Sequence, residues 1–352
     1  MTRQQRHTIP LIALFALLLP SCSNDKDEPT IVPDDQSPIV IGASIDEEQT
    51  ITRAATNLES THQSFKLWGY KNMSVDADGN YSDLQTVFPA YTASWTASTA
   101  GSTTSNTSDW EYVSGSQTIK FWDFAAAAYR FLAVAPATTT NANVTISATE
   151  ATLTLSDLNA SRPEAVLYSR LWLGTNSTAT HLYGQPVTLE FVRPFAKVRY
   201  YFMFGDAITD PDNVEIGNVS FASTESSELV YSQGTLTITY PLCGSSTSET
   251  SASASSASSI ALPLSTPQAD GSYPYTTVLP APSGQHTYCL TATIDGEVKT
   301  ALVPAEYMTW KPGYAYTYIF KITEAGADIV LFDVKIDPWH YGGEQTDEWH
   351  NW

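Results

Sequence analysis

Ser64-Phe65-Lys66-Leu67-Trp68-Gly69-Tyr70 alternates polar with apolar side chains. Successive side chains of a strand point to opposite faces, so alternation with period two marks a half-buried strand rather than a helix. The pattern returns at 117–121, 129–134, 144–146, 151–155, 187–191 and 235–240, and again at 288–294, 314–322 and 329–336. These runs are rich in Thr, Tyr, Val and Ile, which fit a pleated surface, and Asn, Asp, Gly, Pro or Ser separates them. Helical periodicity is scarce, and only the alanine-rich 123–128 is expected to form a helical turn. Many short strands with frequent turns predict an all-β chain of antiparallel sheets packed as sandwiches.

The 352 residues exceed one ordinary domain and suit two of moderate size. Gly184-Gln185-Pro186 punctuates the chain before a strong strand at Val187, so the expected domains are 54–185 and 186–352. A break near Gly205-Asp206 is the alternative. The Ser-rich stretch 244–259 and the Thr/Ser-rich stretch 96–108 are low in complexity and unable to fill a core, so both are expected as loops.

The N-terminus has a different character. Arg3 and Arg6 precede a short apolar run, 9–19, that ends in Leu19-Pro20-Ser21-Cys22. Such a run is too short to cross a hydrocarbon layer of roughly 30 Å as a helix, and with its basic flank it reads as a signal peptide, 1–21. A thiol at the cut, a small residue before it and a branched aliphatic residue three places back suit lipid transfer, so Cys22 is expected to carry lipid. Pro20 stands where a small or aliphatic residue is usual, and a plain secretory peptide is the alternative. Residues 22–53 are acidic and polar enough to form a tether, with an apolar patch at Ile39-Val40-Ile41 that could give one strand. Ser23-Asn24-Asp25-Lys26-Asp27-Glu28 resembles the export signal of surface-exposed lipoproteins, so the expected location is the cell outer membrane, lipid-anchored and facing out.

Composition narrows the function. A net charge of −20, from 17 basic and 37 acidic residues, repels phosphate backbones and argues against nucleic-acid binding. Cys243 and Cys289 remain beside Cys22; in an oxidising compartment they could bridge, or stay as two thiols. The sequence holds no nucleophile elbow, zinc-binding His-Glu-x-x-His, phosphate loop or dinucleotide fingerprint, so no catalytic residue and no cofactor is expected. His340 and His350 crowd the C-terminal tail with Glu344, Asp347 and Glu348, but in no known ligand spacing, so no metal is expected. Asp76-Ala77-Asp78-Gly79-Asn80 opens like an EF-hand loop, yet its twelfth position is Val87, which favours a turn between strands. Trp95, Trp110, Trp122, Trp172 and Trp310 suit a sandwich core; exposed and aligned, they would instead suit sugar stacking.

Several ordered stretches resemble the fimbrillin family of type V pilins and related surface lipoproteins. Thr118-Ile119-Lys120-Phe121-Trp122-Asp123 leads to Tyr129-Arg130-Phe131-Leu132-Ala133-Val134-Ala135-Pro136, similar to the family's aromatic-rich strand and the strand that follows it. The run from Val187 through Arg193-Pro194-Phe195 to Val198 resembles a recurrent family strand, with Arg193 where His is usual. Lys311-Pro312-Gly313-Tyr314 and Ile336-Asp337-Pro338-Trp339 resemble its last two strands. The resemblance implies two tandem transthyretin-like β-sandwich domains, a structural or adhesive role without catalysis, and other fimbrillin-type subunits as partners. It also implies cleavage after an arginine by an Arg-specific protease, which strips an N-terminal strand and leaves a groove for a strand of the next subunit. Arg53, followed by Ala54, stands where that cut would fall, and Ile39-Val40-Ile41 would leave with the removed strand. A glycan-binding lipoprotein of a polysaccharide-uptake system is the alternative.

Overall fold

The computed structural model describes residues 37–45, 58, 62–95, 110–113, 115–177, 180–181, 183–206, 208, 210, 214–223, 230–243, 251–260, 274–280, 288–308, 310–323 and 328–339. The chain builds strands almost throughout. The first half holds β1 (Ile41–Ile45), β2 (Ser64–Val75), β3 (Tyr81–Trp95), β4 (Trp110–Glu111), β5 (Ala128–Ala135), β6 (Ala142–Ile146) and β7 (Glu150–Asn159). Next come β8 (Leu167–Ser169), β9 (Trp172–Ser177), β10 (Thr180–His181), β11 (Val187–Val192), β12 (Ala196–Phe204), β13 (Ile216–Ser223) and β14 (Val230–Pro241). The remainder is β15 (Ser251–Ile260), β16 (Thr276–Val278), β17 (Tyr288–Ile294), β18 (Glu297–Val303), β19 (Tyr314–Ile322) and β20 (Ile329–Pro338), with a 3-10 turn at Ala305–Met308.

Among the described residues the strands form four sheets, with most pairings antiparallel. The largest runs β10-β9-β5-β2-β3-β4-β1-β11-β8, and β8 pairs back onto β5. Strands β5, β2, β3, β4, β1, β11 and β8 therefore form a closed ring. Each contributes to one apolar cluster that includes Phe65, Phe88, Trp110, Phe131, Leu167, Leu189 and Ile41. Most rings there meet edge-on or tilted, as with Phe88 and Tyr112 at 5.0 Å and 81°, while Trp122 stacks on Tyr183 at 5.2 Å and 15°. Alternation along β2 and β5 turns Trp68, Tyr70, Leu132 and Val134 the other way, into a second cluster with Leu153, Leu155, Leu236 and Ile238 of β7 and β14. The sheet β15-β14-β7-β6 covers that face.

A third cluster lies between β16-β12-β19-β20 and β13-β17-β18. Val198, Tyr200 and Phe202 of β12 and Tyr318 and Phe320 of β19 face Leu290, Ala292 and Val303 there. Among the described strands β1 pairs with β11 and β12 with β19 in parallel.

Most of the alternating runs are strands. Residues 117–121 are not: this stretch is held by an isolated bridge, Pro38 to Phe121, and by side chains. Gln117 spans to Thr92, accepting from its N–H at 2.7 Å and donating to its carbonyl at 2.9 Å, which replaces a ladder with a single side chain. The described part of the Ser-rich stretch departs from the loop expectation, because Ser251–Ile260 is a strand on the free edge of β14, while 244–250 and the Thr/Ser-rich 96–108 lie outside the described residues. Serine is a poor strand former, but β14 is already fixed by β7 and offers a full row of backbone partners. Val187–Val192 joins the first sheet, and β7 pairs with β14, so backbone pairing crosses the break expected at 185–186.

Residues 123–128 begin with one hydrogen-bonded turn, in which the Ala126 N–H donates to the Asp123 carbonyl at 3.0 Å. Asp76–Asn80 is the turn joining β2 to β3: the Asp76 carboxylate accepts from the Asp78 and Asn80 N–H groups, and Gly79 takes φ +84°. Cys243 and Cys289 are both free thiols.

Candidate strand-exchange site

The first strand sits in a seat made by the rest of the first sheet. Alternation in Ile39-Val40-Ile41-Gly42-Ala43-Ser44-Ile45 places Ile39, Ile41 and Ile45 on one face, and all three are buried in the aromatic cluster. Burial of a side chain of this size contributes about 1.5–3 kcal/mol apiece.

On one side β1 lies parallel to β11, from Ile41 opposite Val187 to Ile45 opposite Phe191. The Val187 N–H donates to the Val40 carbonyl at 2.8 Å. On the other side only Ile41 pairs with β4, opposite Trp110. Ahead of it the Ile39 N–H donates to the Lys120 carbonyl at 2.8 Å, and the Trp122 N–H donates to the Ser37 carbonyl at 3.0 Å. Strand β1 thus lies between two partners that do not pair with each other at this point. Without it, the Val187 and Trp122 N–H groups and the Lys120 carbonyl would face an open, apolar groove, a demanding arrangement for buried backbone.

Tyr112 forms the floor. Its hydroxyl donates to the Ile39 carbonyl at 2.9 Å and accepts from the Lys120 N–H at 3.1 Å. Burial pushes its pKa up to about 12, against the lowering effect of the Lys120 backbone bond. The walls are aromatic, with Phe65 4.9 Å from Trp110 and 5.3 Å from Phe191, ring centre to ring centre.

Three residues singled out in the sequence, Cys22, Arg53 and Ala54, lie outside the described residues. So do His340 and His350 with their acidic neighbours. Among the described residues no group of three or more His, Cys, Asp or Glu could hold a metal ion, and no helix is long and apolar enough to cross a membrane. Trp110, Trp122 and Trp310 are buried, and Trp95 and Trp172 are half-buried against the first cluster, as a core role requires. Tyr112 was not legible as a site residue. It follows a two-residue strand after a Thr/Ser-rich run, where no alternation is long enough to read.

The seat of β1 belongs to an all-β chain of mostly antiparallel sheets. The model of the fimbrillin-like family matches residues 52–339, and the chain belongs to that family. A search of curated protein sequences gave no match. Among solved structures the chain is similar to a candidate cell adhesion protein from Bacteroides uniformis, at 16% identity, over 86% of this chain and 100% of that one, with a TM-score of 0.41. It is also similar to the fimbrial anchor protein Mfa2 from Porphyromonas gingivalis, at 10% identity over 86% and 97% of the two chains and a TM-score of 0.33. A fimbrial assembly protein from Parabacteroides distasonis matches at 14% identity over 81% and 94%, with a TM-score of 0.30.

Proposed function

We propose that the chain is a surface lipoprotein of the fimbrial type, a fimbrial subunit or fimbria-associated adhesin that assembles by exchange of β1. The seat of β1 carries this reading: a short strand with buried isoleucines lies between partners that another strand could join in its place. In this reading signal peptidase acts before Cys22, lipid on Cys22 holds the chain at the outer membrane, and Arg-specific cleavage between Arg53 and Ala54 severs β1 from the body. A strand of the next subunit then supplies the backbone partners of β11 and of residues 120–122. Two tandem transthyretin-like sandwiches, 54–185 and 186–352, belong to the same proposal; one core cluster is drawn from residues before Phe195 and another from residues after it, while a third joins residues of both.

N-terminal sequencing of surface-extracted protein tests it. A start at Ala54, with an SDS-stable, heat-sensitive ladder that Arg53→Ala abolishes, is the expected result. A blocked Cys22 on every copy would overturn assembly by exchange. Polysaccharide retention in native gels without any ladder would favour the alternative, a glycan-binding lipoprotein of an uptake system.

A further inference from the structure

Basic residues are few in this acidic chain, 17 against 37, yet three of them converge beside β12. Lys197 and Arg199 share the face of β12 opposite Val198 and Tyr200, which enter the core. Arg193 lies in the link from β11. Two aromatic rings separate the cations. Trp339 has the Lys197 ammonium 4.3 Å and the Arg193 guanidinium 4.6 Å from its ring centre. Tyr275 has the Arg199 guanidinium at 4.3 Å and the Lys197 ammonium at 5.7 Å. The order is therefore Arg193, Trp339, Lys197, Tyr275, Arg199, with each ring shared by two cations. Arg199 Nε also donates to Thr317 Oγ1 at 3.0 Å, and the Tyr275 hydroxyl lies 3.0 Å from the same oxygen.

Lys197 is the centre of this ladder. Among the described residues its contacts are the two rings and no carboxylate. Burial, with the Arg193 charge beside it, holds its pKa down to about 8, where a carboxylate partner would have raised it. A ring face attracts a cation, but it does not satisfy the three N–H donors of an ammonium as an oxygen would. Both Lys197 and Tyr275 are partly exposed, so a ligand can reach them.

The rim of the ladder limits what that ligand can be. Asp337 stands in the same row across the sheet, opposite Ala315, which is itself opposite Lys197. It lies close enough to Tyr275 to help push that hydroxyl's pKa up, behind the larger effect of burial. A carboxylate there repels dianionic phosphate or sulfate and accepts hydrogen bonds from hydroxyl groups. One negative group with hydroxyls beside it matches both halves of the site.

We infer that the ladder binds the carboxylate of an acidic sugar, a uronic- or sialic-acid unit, on Lys197, with Tyr275 and Asp337 receiving neighbouring hydroxyls. This rests on the adhesive half of the proposed function and supplies its ligand class. It is independent of strand exchange, so a failure here leaves the assembly reading intact.

Calorimetric titration of the purified full chain with galacturonate, glucuronate and N-acetylneuraminate, each beside its neutral methyl ester and beside inorganic sulfate, tests the inference. At least one acid should bind about tenfold or more tighter than its ester and than sulfate. Lys197→Ala should lose that difference and Lys197→Arg should keep most of it, with melting temperatures showing both variants folded. Equal binding of acid and ester, sulfate binding as tightly as the sugar, no binding by any of the three, or a folded Lys197→Ala that binds unchanged would overturn it.

Discussion

The hydroxyl of Tyr112 donates a hydrogen bond of 2.9 Å to the backbone carbonyl of Ile39, fastening the start of β1 to the interior of the first sheet. Both partners are buried. Tyr112→Phe keeps the ring and removes the bond, leaving the Ile39 carbonyl with fewer partners. The expected cost is about 1–2 kcal/mol, read as a lower melting temperature of the uncut chain. An unchanged melting temperature would show that the floor of the seat does not hold the strand.

Ile41→Ala should separate the two states of the protein. In the uncut chain it opens a cavity beside Trp110 and costs about 2–4 kcal/mol. In protein trimmed after Arg53 the residue is gone, so denaturant titration of the trimmed variant and trimmed wild type should coincide. A difference that persists after trimming would mean that β1 stays bound to the cut body.

Gly69 lies where a Cβ would come within 2.5 Å of the Phe88 ring and 2.8 Å of the Phe131 ring. Both rings are packed in the first cluster, so they have little room to withdraw. Gly69→Ala is expected to destabilise by about 1–3 kcal/mol by chemical denaturation, and a neutral outcome would show that the rings can shift.

Ser169 closes the ring of strands. Its hydroxyl accepts from the Ala133 N–H at 2.7 Å, and the Tyr240 hydroxyl donates to its carbonyl at 3.2 Å. Ser169→Ala leaves the Ala133 N–H buried without that acceptor and should cost about 1–3 kcal/mol. Hydrogen exchange at Ala133 should accelerate; unaltered exchange would locate the closure elsewhere.

Alkaline pH should unfold the protein through its buried tyrosines. Burial pushes Tyr70, Tyr112, Tyr129 and Tyr316 up to about 12 in the folded chain. The unfolded chain titrates near 10. A folded pKa above the unfolded one gives stability that is fully present below pH 10 and lost as pH rises through 12. Melting curves from pH 8 to 12, followed with phenolate absorbance, should fall steeply above pH 10. A flat profile across that range would contradict the burial of these hydroxyls.

Alternation in runs such as 64–70, 129–134 and 314–322 by itself determined that the chain is nearly all strand, because side-chain direction along a strand is a local property with period two. The aromatic residues were legible as core for a related reason, since Trp110, Trp122 and Trp310 are too apolar to be stranded outside three packed clusters. Which strand lies beside which was not legible. Ile41 pairs with Val187, and Ser255 pairs with Thr235 in a stretch whose composition argues for a loop. Residues 117–121 alternate and yet remain outside every sheet, because the Tyr91 and Tyr112 hydroxyls accept from the Thr118 and Lys120 N–H groups instead. Pairing depends on free edges and on cores that form only when distant segments meet. The seat of β1 and the ladder around Lys197 therefore belong to the tertiary structure; the sequence shows Ile39-Val40-Ile41 as an apolar patch that could give one strand, but neither the partners of that strand nor the rings around Lys197.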